Sequence, residues 1–73
     1  MKIKYLSWFH EIAQCRSLRQ ASKKLGAAPS TLSRCMARLE EDAGLPLYLH
    51  DAPVFTLTEA GKVYLEYADR ILH

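Results

Sequence analysis

Seventy-three residues, 49% of them apolar, suffice for one small domain whose core is marginal unless a partner adds burial. No apolar run approaches the roughly 20 residues of a membrane span, and residues 1–10 hold no signal-peptide core, so no membrane partner and a soluble, cytoplasmic protein are expected. The formal net charge of +2 hides a division along the chain: eight basic residues face Glu11 alone up to Arg38, a balance of +7, and two face seven acids from Leu39 onward, a balance of −5. Such asymmetry suggests that one half meets a polyanion while the other pairs or links.

Enzymatic and metal chemistry find little support. His10, His50 and His73 share no metal-ligand spacing, and no motif assembles a nucleophile, a base and an orienting acid. Cys15 and Cys35 lie twenty residues apart without a CxxC pair, so they read as small core or near-surface thiols, and no cofactor is expected.

In chain order, Tyr5, Leu6, Phe9, Ile12 and Ala13 recur at helical spacing with Trp8 beside them, which predicts a first amphipathic helix from about Ile3 to Cys15 that serves the core. Ser17 then opens S-L-R-Q, a capping box that starts a second helix with Leu18, Ala21, Ser22 and Leu25 on its buried side. Gly26 ends that helix, and the turn runs from Gly26 to Ala28. Pro29 suits the first position of a third helix, along which Leu32, Met36 and Leu39 repeat at i, i+4, i+7.

Glycine in a short turn between two such helices is the pattern of a helix-turn-helix, whose second helix enters the major groove of DNA. The outward positions near the start of the third helix are Ser30, Thr31, Ser33 and Arg34, small hydrogen-bonding groups with one fork-shaped donor. Base edges and phosphates require that chemistry. At the far end Glu40-Glu41-Asp42 would be repelled by DNA, so docking must use the amino-terminal half, whose helix dipole also favours phosphate.

Beyond Gly44 and Pro46, Leu47-Tyr48-Leu49 and Val54-Phe55-Thr56-Leu57 have strand-like content around His50-Asp51-Ala52-Pro53, which predicts a short hairpin wing. Thr58 can cap a last helix, with Glu59 favourable in its first turn. On it Ala60, Val63, Tyr64, Tyr67, Ala68 and Ile71 form one stripe expected to close the core, leaving Leu65 and Leu72 on a second face. Apolar residues at that spacing want a partner, so the last helix is expected to form a homodimer through Leu65 and Leu72, with Tyr64 and Ile71 alongside.

Together, Ala21-Ser22-Lys23-Lys24-Leu25, Ser30-Thr31-Leu32-Ser33-Arg34, Leu39-Glu40, Gly44-Leu45-Pro46-Leu47-Tyr48 and Leu57-Thr58-Glu59-Ala60-Gly61 resemble the LysR-type transcriptional regulators over essentially the whole chain, at family spacing without gaps. The resemblance implies a mainly α fold: a winged helix-turn-helix over residues 1–58, with a three-helix core and a short β-hairpin wing, and a linker and dimerisation helix over 59–73. It implies sequence-specific binding of double-stranded DNA at pseudo-palindromic promoter sites in the bacterial nucleoid. A small-molecule effector would act only through a further domain, outside these residues.

Carried over by position, the family's DNA contacts fall on Pro29, Ser30, Ser33 and Arg34, with Arg19 at a phosphate-contacting place; Thr31, Arg38 and His50 complete the candidate DNA-binding set. The sequence departs from the family pattern at several points. Pro29 and Cys35 stand where glutamines are usual, His50 and Pro53 where the wing has arginines, and Asp51 adds a negative charge between them. The wing is therefore expected to contribute less to DNA binding here.

A second class of function uses the same fold to bind an acidic protein through Lys24, Arg34 and Arg38. The aromatic residues Trp8, Phe9, Tyr48 and Phe55 read as core in preference to base-stacking platforms.

Overall fold

The computed structural model describes residues 3–72, in which four helices follow one another: α1 (Ile3–Ile12), α2 (Leu18–Leu25), α3 (Pro29–Ala43) and α4 (Glu59–Leu72). Lys2 and His73, part of the charge balance and histidine spacing above, lie outside the described residues.

α1 stops three residues short of Cys15. The amides of Gln14 and Cys15 turn to the carbonyls of Glu11 and Ile12, at 3.1 and 3.0 Å, which tightens the last turn. α2 begins as its capping residues dictate: the Ser17 hydroxyl accepts from the Gln20 amide at 3.1 Å. The Gln20 side chain returns to the Arg16 amide at 2.7 Å, one residue earlier than the capping box predicts. Gly26 then takes φ 67°, a left-handed conformation that glycine adopts at no steric cost. Ser22 locks the turn that follows. Its carbonyl accepts from the amides of Gly26 and Ala27, and its hydroxyl donates to the Ala27 carbonyl.

The core lies where α1 meets α3 and α4 and where α2 meets α3. Phe9, Ile12, Leu32, Met36, Leu39 and Leu47 are fully buried there, each contributing roughly 1.5 to 3 kcal/mol relative to exposure. Among the described residues no strand forms. The expected hairpin wing is reduced to an antiparallel bridge between Tyr48 and Leu57, flanked by the Leu49 amide on the Thr56 carbonyl at 2.9 Å. Aromatic stacking stiffens this wing from within, Tyr48 stacking on Phe55 (centroids 5.1 Å) and on His50 (4.1 Å), and the Phe55 amide ties it to the domain by donating to the Arg16 carbonyl at 2.7 Å.

α4 sits rotated from its expected phase. Gly61 and Ala68 are buried, and Tyr64 and Leu65 are half-buried against the core, with Tyr64 edge-on to Phe9 at 5.7 Å. Val63, Tyr67 and Ile71 face solvent instead, 66%, 52% and 44% exposed. Leu65 therefore packs inward, contrary to expectation, and Leu72 is half-buried. The small residues explain the rotation. A Cβ on Gly61 would meet the Leu47 carbonyl oxygen at 1.9 Å, so only a glycine lets the first turn of α4 press against that backbone. Thr58 fixes the same corner, its hydroxyl accepting from the Gly61 amide at 3.0 Å and donating to the Pro46 carbonyl at 2.7 Å.

Candidate nucleic-acid interface

Periodicity divides α3 cleanly. Leu32, Cys35, Met36 and Leu39 are buried, while Pro29, Ser30, Thr31, Ser33, Arg34 and Arg38 are all exposed on the opposite side. Pro29 opens the helix after Ala28, and no side-chain cap bonds the first turn, which leaves the positive end of the helix dipole toward solvent beside Ser30. Cys35 turns inward, its Sγ 3.8 Å from the Tyr5 carbonyl, and burial pushes its thiol up to about 11. It stays neutral and takes no part in the outward surface. Arg19 is exposed on the first turn of α2, directly after the Ser17 cap.

Two basic candidates are engaged within the fold. Lys24 pairs with Glu11 at 2.8 Å, an ion pair that lowers the Glu11 carboxyl and raises the Lys24 ammonium from their ordinary values. That makes Lys24 a weak anchor for any acidic partner. His50 Nε2 lies 3.0 and 3.2 Å from the two carboxylate oxygens of Glu40, and one of those oxygens also accepts from the Leu47 amide at 2.7 Å. Glu40, only 13% exposed at its side chain, thus clasps the base of the wing to α3 and draws His50 back along the domain. In sequence Glu40 reads only as a charge that DNA would repel; its clasp appears once Leu47 and His50 fold over it.

Phe9 and Tyr48 are core residues, whereas Trp8 is half-buried with the Lys4 ammonium 4.9 Å above its ring. No described helix is long and apolar enough to cross a membrane.

A helix-turn-helix locked by Ser22 and Gly26, an outward α3 face of hydroxyls and arginines, and a bridged wing after it define a winged helix-turn-helix protein. The chain matches the family model of the bacterial regulatory helix-turn-helix proteins, lysR family, over residues 3–62, and it belongs to that family. The iron-regulated virulence regulatory protein IrgB of Vibrio cholerae is 44% identical over 64 residues, covering 88% of this chain and 22% of its own length. The HTH-type transcriptional activator IlvY of Salmonella typhimurium is 39% identical over 72 residues, 99% of this chain and 24% of its own. The chain thus spans about a quarter of these relatives. Among solved structures, the fold is similar to that in the CbnR_DBD-DNA complex, with a TM-score of 0.92 and 33% identity, covering 99% of this chain and 83% of that one. The BenM_DBD/benA site 1 DNA complex is equally similar in fold, at TM-score 0.92 and 29% identity, over 99% and 84%.

Proposed function

We propose that this chain is the DNA-binding portion of a LysR-type transcriptional regulator, acting in the cytoplasm on pseudo-palindromic double-stranded DNA. α3 enters the major groove by its amino-terminal half, Arg19 holds a flanking phosphate, and α4 links two copies into a homodimer. The observation that carries this reading is the exposed face of α3, where Ser30, Thr31, Ser33, Arg34 and Arg38 stand together without an acid before Glu40. The likeness to chains crystallised with DNA supports it. The wing's part is small, because His50 is held by Glu40 and Pro53 carries no donor.

Arg34 is the base-reading residue in this proposal, since its guanidinium can bind guanine through two hydrogen bonds. With an operator selected from a random duplex pool, Arg34→Ala is expected to cost roughly 1 to 3 kcal/mol on that operator and to narrow the gap from non-specific DNA. Arg34→Lys should not restore the loss, because an ammonium lacks the fork. An equal weakening on random duplex would make Arg34 a phosphate contact. Arg19→Ala should weaken all sequences alike and reduce the salt slope of binding by about 1. A wild-type chain whose association with duplex DNA ignores salt would exclude the whole reading and favour an acidic protein partner.

A further inference from the structure

Between α1 and α3 lies a cleft of about 210 Å³, walled on one side by Lys4 and Trp8 and on the other by Thr31, Arg34 and Arg38. At roughly 30 Å³ per water, it has room for one phosphodiester group with part of its hydration. Three cations line it and no acid does. Among the described residues, none of Lys4, Arg34 and Arg38 has a carboxylate partner. Unpaired cations converging on one concavity create a local positive potential that a dianion or a phosphodiester relieves. The floor offers no competing anion, because the neutral Cys35 thiol and the Tyr5 ring complete it. Thr31 adds a hydroxyl donor at the rim beside the outward face of α3.

We propose that this cleft is a DNA-backbone site, in which Lys4 of α1 and Arg38 of α3 grip one phosphate beside the groove that Arg34 reads. The proposal rests on the DNA-binding reading above. It assigns α1, otherwise a core helix, a direct part in docking, and it makes Arg38 a positioning contact without sequence preference. Lys4 at rest lies over the Trp8 ring. It leaves an aromatic face that is worth little at an exposed site for a charge-assisted bond to phosphate.

Random-sequence duplex is the probe, because a phosphate contact needs no operator. Each phosphate neutralised contributes about 0.9 to the slope of log affinity against log salt. Lys4→Gln and Arg38→Gln should each weaken binding several-fold and flatten that slope, and Lys4→Arg should hold the wild-type slope. Unfolding curves matching wild type keep Lys4→Gln interpretable. Wild-type binding with an unchanged slope in Lys4→Gln overturns the cleft alone, while a wild type with no salt-dependent DNA binding overturns both readings. Trp8, the only tryptophan of the chain, reports on the source of the anion. Its emission should respond to duplex and not to inorganic phosphate alone; an equal response to phosphate reassigns the cleft to a free oxyanion and overturns the DNA-backbone assignment.

Discussion

Gly61→Ala is expected to lower the stability of this domain by about 2 kcal/mol or more, a fall in melting temperature of roughly 8 to 16 °C for a chain of this size. In an open helix the same change would stabilise by about 1 kcal/mol, since alanine is the better helix former. The sign reverses because of one contact. The new methyl would stand 1.9 Å from the Leu47 carbonyl oxygen and 2.9 Å from its carbonyl carbon, and backbone cannot rotate away as a side chain can. The same carbonyl accepts from the Thr58 amide at 3.0 Å, so pushing Leu47 aside also disturbs the cap of α4. Thermal unfolding followed by circular dichroism reads the effect. A melting temperature equal to or above wild type would mean that α4 stands away from Leu47 in solution.

Val63→Glu combined with Tyr67→Glu is expected to leave a folded monomer whose affinity for a two-half-site operator falls by about 10²- to 10⁴-fold, while affinity for a single half-site is little changed. Both side chains are more than half exposed and lie with Ile71 at i, i+4, i+8 on the outer side of α4. Neither belongs to the domain's own core, the Tyr67 ring touching it only at the margin through Tyr64 at 6.2 Å, so charge there should cost little stability. Leu65→Glu makes the contrast, since Leu65 packs against the core and its replacement should destabilise the fold directly. Sedimentation separates the cases. A wild-type chain that remains monomeric at ~100 μM, too weak for a useful interface, would remove self-pairing through α4 from the proposed function.

Local rules were enough for the helix-turn-helix. The Ser17 cap, the glycine at position 26, Pro29 at the start of α3 and the apolar spacing of Leu32, Met36 and Leu39 each act within a few residues, so sequence specifies them without knowledge of the fold. The exposed set from Pro29 to Arg38 was legible for the same reason: burying one side of a helix of known period exposes the other. Family resemblance at fixed spacing then pointed to the LysR regulators, and the matched family agrees.

What the tertiary structure alone decided concerns pairs distant in sequence. α4 carries apolar residues on more than one face, and bulk favoured the whole stripe from Ala60 to Ile71; Tyr64 and Ala68 of that stripe do pack inward, but Gly61 and Leu65 join them in place of Val63, Tyr67 and Ile71, because at Gly61 the helix comes too close to the Leu47 backbone for any side chain. Periodicity ranks faces by hydrophobicity, whereas packing ranks them by shape, and the two diverge where axes come close. Likewise His50 read as a wing contact for DNA, whereas in the fold its ring nitrogen lies against the carboxylate of Glu40, ten residues earlier, which also accepts from the Leu47 amide. The convergence of Lys4 and Arg38 on one cleft between α1 and α3 arises the same way, from chain segments that only the folded core brings together.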